Sequence, residues 1–343
     1  MKTFKILLLS FLSIALFAGS AMAGKQLFLF NWTDYTSPEL IKKFEKETGI
    51  EVVLDTFDSN ESLLAKLKAG GGGYDIVVPS HNFMPIFIKE GLVQKINATK
   101  LKGYQNIMDQ HKSPPWDPGN VYSIPWQTGT TSFSINTEVY KGDYDTYKVL
   151  FDPPPELQGK IAMFNAPDEV IGMALLYLGY DQCNENPGQM KKVLELLMDQ
   201  KKYVKVYNSD GILERLLSGD AAIHMNWNGY AMRARKQNPA FKYAYAKEGV
   251  ISFMDNLTVP KDAQNKENAI KFIEFMMQPE NAAMQSNFAR YANGIKGSAK
   301  FMDEELRSAP EINIPSSARQ IFIPSCSEKS IKLMDKVWTK LKQ

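Results

Sequence analysis

The sequence predicts an α/β protein whose sheet is parallel, with helices on both faces, folded as two domains. Three observations predict this. The chain has 343 residues, and at roughly 100–200 residues per domain that length points to two. Hydrophobic residues make up 44% and charged residues 23%, an ordinary globular balance that leaves enough apolar surface for a large core. The N-terminal third alternates short apolar, β-branched runs with capped amphipathic segments, the βαβαβ order of a parallel sheet.

Composition also removes function classes. With 40 Lys+Arg against 38 Asp+Glu there is no basic excess, which argues against a broad nucleic-acid surface. Three His and two Cys argue against a dedicated His/Cys metal site.

Residues 1–23 have the layout of a secretory signal peptide. Lys2 and Lys5 precede the apolar run Ile6 to Phe17, and Ala21-Met22-Ala23 supplies the small-residue cleavage site. The apolar run is short for a membrane anchor, and no Cys follows the cut to take a lipid. Cleavage removes two basic residues and no acid, leaving 38 against 38. An exported protein of this kind fits a bacterial periplasm. Export makes a disulfide between Cys183 and Cys326 chemically possible, and two separate buried thiols are an equal alternative.

The mature chain starts with the continuous apolar run Leu27 to Phe30, the pattern of a strand buried on both faces. Ser37 caps a helix with Pro38 at its first position and Leu40, Ile41 and Phe44 on one face, ended by Gly49. Glu51 to Thr56 is the second strand. Asp58-Ser59-Asn60 opens a helix carrying Leu63, Leu64 and Leu67, and Asp75 to Val78 is the third strand. The glycines at 70–73 precede a strand instead of opening a helix, and no Gly-Lys-Ser/Thr follows, so they form a loop and not a phosphate cradle. A helix follows near Met84 to Lys89, then a turn-rich loop at 114–119.

Tyr122 to Asn136 reads as a strand crossing between two lobes, and Leu257 to Pro260 as a second crossing. Between them come a strand at Lys160 to Phe164, a helix beginning after Asn165, a helix closing at Ser218, and a strand at Ala221 to Met225. Helical periodicity returns at Glu267 to Met277, Pro279 to Phe288 and Ser327 to Leu341.

Ligands of open α/β sheets bind beyond the carboxyl ends of the strands. Here those ends repeatedly set an aromatic beside an acid or amide: Trp32 with Asp34 and Tyr35, then Glu169, Trp227, Phe253 with Asp255, and Tyr291. One such pair is ordinarily core packing plus a helix cap; five on one rim describe a cleft. Aromatic faces attract cations, and carboxylates drawn into a cleft need partners. Ammonium groups joined by methylenes satisfy both demands. A neutral sugar leaves the acids uncompensated, and an anion is repelled.

In these segments the chain resembles a known family. Asn31-Trp32-Thr33-Asp34-Tyr35, Phe57 to Glu61, Tyr74 to Ser80, Ala166-Pro167-Asp168-Glu169-Val170, Trp227-Asn228-Gly229 and Tyr291-Ala292-Asn293 resemble the periplasmic putrescine/spermidine-binding proteins of ABC uptake systems, in the same order along almost the whole mature chain. The resemblance implies a two-lobed type II periplasmic-binding fold, each lobe a mostly parallel sheet flanked by helices, with a polyamine held between the lobes. Residues 24–128 with 258–302 form the first lobe on this reading, and 129–257 with 303–343 the second. It implies no cofactor, no catalysis, a monomer, and a membrane permease as partner.

The resemblance also implies roles. Trp32 and Trp227 sandwich the methylene chain and Tyr35, Phe253 and Tyr291 complete the box. Asp34, Glu169 and Asp255 pair with the amines, and Ser80 adds a polar contact. Asn82 and Tyr230 join the site at positions where this chain departs from its relatives. Ala166 stands where spermidine-preferring relatives carry an Asp, Tyr230 where putrescine-preferring relatives carry an acid, and Phe253 matches the putrescine-type aromatic. These departures leave the choice among polyamines open.

Three rival readings stand beside this one. A polyamine-loaded protein of this fold can report to a membrane receptor instead of feeding a permease. An exported enzyme would pair a Cys nucleophile with a His base, but neither Cys adjoins these motifs, and His81, His111 and His224 read as wall, loop and strand residues. A metal carrier using Tyr and Asp oxygens fits poorly with the Trp-rich rim.

Overall fold

The structure, a computed structural model, describes residues 25–70 and 72–343. The expected signal peptide, residues 1–23, lies outside the described residues. Strand β1 (Gln26–Trp32) leads into helix α1 (Pro38–Thr48). Ser37 Oγ accepts the Leu40 N–H at 3.2 Å, and Gly49 ends the helix in the left-handed region at φ 68°, as the sequence predicts. Strand β2 (Glu51–Phe57) runs parallel to β1, and Ser59 caps α2 (Asn60–Lys68) by accepting the Ser62 N–H at 3.3 Å.

The third strand is shorter than the sequence predicts. Only β3 (Ile76–Val77) joins the ladder, parallel to β1. The buried Asp75 carboxylate is instead a junction, accepting the N–H groups of Phe28 at 2.9 Å and Asn265 at 2.7 Å. Helix α3 (Met84–Lys89) and strand β4 (Val93–Gln94) follow.

The long strand β5 (Ser123–Asn136) is the first crossing. Beyond it come β6 (Ile161–Met163), α4 (Pro167–Tyr177), α5 (Pro187–Lys201), β7 (Val204–Tyr207), α6 (Ile212–Leu217), β8 (Ile223–Trp227), α7 (Asn228–Gln237) and β9 (Phe241–Tyr243). Strand β10 (Val250–Pro260) is the second crossing, and α8 (Lys266–Met276), α9 (Pro279–Ala289), β11 (Ala292–Asn293), β12 (Gln320–Phe322) and α10 (Glu328–Lys342) complete the chain.

The principal strand order is β2-β1-β3-β10-β5-β8-β6-β7. Its two ends are parallel blocks, β2-β1-β3 and β8-β6-β7. The middle is antiparallel: β10 runs against β3 and β5, and β5 against β8. The expected parallel sheets are therefore present as two blocks joined by antiparallel crossings. At about 3.3 Å per residue β5 spans roughly 46 Å, long enough to enter two cores. It gives Ile124 and Trp126 to the cluster built from β1, α1 and α8, and Phe133 and Ile135 to the cluster built from α4, β8 and α10. Strand β10 does the same with Leu257 and Val259 at one end and Ile251 at the other.

Cys183 and Cys326 are joined as a disulfide, their Cα atoms 5.0 Å apart, which settles the alternative left open by the sequence. The bond ties the loop before α5 to the segment before α10, where these two helices pack together. Among the described residues no helix is long and apolar enough to cross a membrane.

Candidate ligand cleft

Each functional side chain is placed by the end or bend of an element. Trp32 closes β1, Ser80 and Asn82 follow β3, Asp168 and Glu169 stand in the first turn of α4, Trp227 closes β8, and Tyr291 precedes β11. Asp255 is set by an irregularity in β10, where the register with β5 shifts between Met254 and Asn256. Such a bulge re-aims a side chain. These positions converge on one cavity. Of the residues the sequence singles out, Trp32, Tyr35, Ser80, Asn82, Glu169, Trp227, Tyr230, Phe253, Asp255 and Tyr291 line it.

Asp34 does not. It is exposed, with its backbone in the left-handed region at φ 53°, and its carbonyl oxygen accepts from Arg233 Nη1 at 3.5 Å. Asp168, Asn60, His81 and Ile323 line the cavity although the sequence reading gave them no ligand role. Asp168 and Asn60 carried a signal read otherwise, as the beginnings of helices. Ile323 carried none, because β12 and the disulfide bring it there from the far end of the chain.

The aromatic walls are held from behind. Trp32 Nε1 donates to the Val78 carbonyl at 2.9 Å, and its ring lies 4.7 Å from Phe57. Trp227 packs on Phe164 at 4.2 Å between ring centroids and meets Trp32 edge-on at 6.1 Å. Tyr291 sits edge-on to Tyr35 at 5.4 Å and to Phe253 at 5.9 Å. Gly129 makes room for this cluster. A Cβ there would stand 2.7 Å from the Phe253 ring and 2.9 Å from the Tyr291 ring.

The carboxylates are oriented by neutral donors. Asp255 accepts the Ser80 hydroxyl at 2.6 Å and the Tyr35 hydroxyl at 2.8 Å, one on each oxygen. Glu169 accepts from the Thr131 hydroxyl at 2.6 Å and Trp227 Nε1 at 2.9 Å, both on Oε1. Asn82 Nδ2 donates to Asp168 at 3.1 Å. Hydrogen bonds of this kind favour the ionised form, and burial opposes it. Burial wins at both ends: it raises Asp255 to about 7 and, with Asp168 alongside, Glu169 to about 8. His81, buried with Nε2 against the Ile323 carbonyl at 2.9 Å, is lowered by burial to about 4 and is neutral at neutral pH.

Among the described residues no lysine or arginine lines the cavity. The Arg233 guanidinium stacks 3.8 Å from the Tyr230 ring centroid but is not a lining group. Three carboxyl groups thus face one aromatic-walled space without a cation. Among the described residues no group of His, Cys, Asp and Glu is arranged to hold a metal.

Comparison with known proteins accords with this geometry. The model of the family described as bacterial extracellular solute-binding protein matches residues 39–314. The chain is 34% identical to the putrescine-binding periplasmic protein SpuD of Pseudomonas aeruginosa, over 100% of this chain and 99% of that one. It is 35% identical to the spermidine/putrescine-binding periplasmic protein of Escherichia coli, over 75% and 74%. Among solved structures, one from Listeria monocytogenes assigned to a spermidine/putrescine ABC transporter superposes with a TM-score of 0.88 at 30% identity, covering 93% of this chain and 99% of that one. The fold is the two-lobed type II periplasmic-binding fold, with its cleft between the lobes. The relatives are solute-binding proteins and not enzymes, which removes the catalytic rival. With its full length accounted for by such relatives and four-fifths of it by the family model, the chain belongs to the bacterial extracellular solute-binding proteins.

Proposed function

We propose that this protein captures a polyamine of the putrescine/spermidine class in the periplasm, by closure of its two lobes, and delivers it to the permease of an ABC transporter. One observation carries the reading. The cavity presents the carboxyl groups of Asp168, Glu169 and Asp255 among Trp, Tyr and Phe rings, with no cationic side chain among the described residues to neutralise them. Only a cationic ligand with an apolar body completes such a site. The methylenes lie against the rings of Trp32, Trp227, Tyr35, Phe253 and Tyr291, while Asp255 receives one ammonium and Glu169 the other. Ser80 holds Asp255 in place, and Tyr230 closes the mouth.

Closure is supported by bonds that cross between residues 24–128 with 258–302 and residues 129–257 with 303–343. Tyr230 donates its hydroxyl to the Thr33 carbonyl at 3.1 Å, Asn82 donates to Asp168, and His81 meets the Ile323 carbonyl. The two main hydrophobic clusters divide close to the same lines, with Leu257 in the cluster of the first group. Such a molecule has two rigid bodies hinged at the crossing strands, and a ligand touching both favours the closed form. The disulfide accords with an oxidising compartment.

A thermal-shift and calorimetric series on the mature protein tests the reading with putrescine, cadaverine, spermidine, norspermidine, spermine and agmatine, with maltose and glutamate as controls. The oligoamines should raise the melting temperature and the controls leave it unchanged. A series in which no oligoamine binds defeats the proposal.

A further inference from the structure

Asn82, Asp168 and Ile323 have open space on both sides. They line the cavity already described and also a second one, of about 320 Å³. The second cavity has apolar walls from Leu64, Ile86 and Met334, and its ionisable lining comprises Glu61, Asp168 and Asp335 against Lys68. Lys68 is already paired with Glu90 at 2.8 Å, so the acids dominate.

Glu61 is the unexplained member. Its Oε1 accepts the Asp168 backbone N–H at 3.4 Å, while its Oε2 is out of reach of solvent and has no hydrogen-bond partner among the described residues. A buried carboxylate oxygen without a donor is costly, on the order of 1–3 kcal/mol or more, and burial with Asp168 nearby raises the Glu61 carboxyl well above its ordinary value. Asn82 and Asp168, which line both cavities, are joined by a single bond between their two side chains.

We propose that the second cavity is a subsite for the far ammonium of a triamine, which donates to Glu61 once Asn82 has released Asp168. The subsite rests on the polyamine reading above and extends it from ligand class to ligand length. A diamine is satisfied within the first cavity and leaves the Asn82–Asp168 bond intact. A triamine carries a third charge and a second methylene run, which match the acids and the apolar walls behind that bond.

The test is calorimetry with putrescine and spermidine on the mature protein and two variants. Glu61→Gln keeps the shape and removes the charge. Ala65→Trp fills the second cavity from an exposed position on α2, and circular dichroism shows that each variant is folded. Each should weaken spermidine tenfold or more while changing putrescine less than twofold. If either variant leaves the ratio of the two affinities within twofold of the parent, or lowers both affinities equally, the subsite is refuted. If the parent binds neither amine, the polyamine reading itself falls and the subsite with it.

Discussion

The two ends of the cavity keep their acids by different means. Asp255 stands alone, with a hydroxyl donor on each oxygen, from Ser80 and Tyr35. Glu169 has both of its donors on one oxygen and shares its end with Asp168 and, behind that, Glu61. Neutral donors orient a carboxylate without neutralising it, so each end stays ready for a positive group. The first end is fitted to one ammonium; the second gathers more carboxyl groups than one ammonium can pair with. The difference shows where the molecule fixes its ligand and where it has room to distinguish one ligand from another.

The largest effect is expected at the isolated end. Asp255→Asn keeps the shape and removes the charge, and the bound ammonium is left buried without its partner, a loss of about 2–5 kcal/mol. Putrescine affinity should drop about a hundredfold by titration calorimetry. Asp58→Asn is the control. Asp58 accepts from the Ser59 and Ser62 hydroxyls at the start of α2 and does not line the cavity, so its replacement should leave affinity within twofold. Equal losses in the two variants would mean that only the general negative field matters.

Next in size is Trp227, which serves both parts of the site. Its ring is a wall for methylenes and its Nε1 holds Glu169. Trp227→Ala should weaken putrescine at least tenfold. Trp227→Phe keeps a ring and loses the N–H, so it divides the effect between stacking and orientation. An alanine variant with parent affinity would remove Trp227 from the site and undo the contrast between the ends.

Much of this was legible before any coordinates, because strand ends and helix caps are local. Ser37, Pro38, Gly49 and Ser59 mark helix boundaries through their own hydrogen bonds and backbone angles, and those boundaries set Trp32, Tyr35 and Asn60 on one rim. Non-local relations were harder to read. Helix α5 is absent from the sequence reading although Asn186 caps it through the Gly188 and Gln189 N–H groups and Met190, Val193 and Leu197 recur at helical spacing. The polar turn before it masked the pattern. The family resemblance implies an amine-pairing role for Asp34, yet its backbone is left-handed and the residue is exposed. Asp168 was read as a helix start, which it is, and its second role depends on Asn82, 86 residues away. The pairing of Cys183 with Cys326 spans 143 residues, and no spacing rule reaches that far.

The remaining prediction concerns both ends together and is read as a dependence on pH. In the ligand-free protein burial raises Asp255 from 3.8 to about 7 and Glu169 from 4.5 to about 8. A raised carboxyl pKa means that folding favours the protonated form. Its contribution is complete below the unfolded value and is lost as pH rises through the folded one. The free protein should therefore melt at lower temperature as pH climbs through 7 and 8. A polyamine reverses the preference. Its ammoniums, still charged in this range, favour the carboxylates, so binding expels protons and tightens by roughly tenfold per pH unit on average between pH 6 and pH 9. Scanning calorimetry with and without saturating putrescine should show the ligand-induced rise in melting temperature growing from pH 6 to pH 9. Titrations in two buffers of different ionisation enthalpy should register the released protons. A ligand-induced rise that stays flat over this range would mean that both carboxylates are already ionised in the free protein. In that case the hydroxyl and indole donors outweigh burial, and the two ends differ in shape alone.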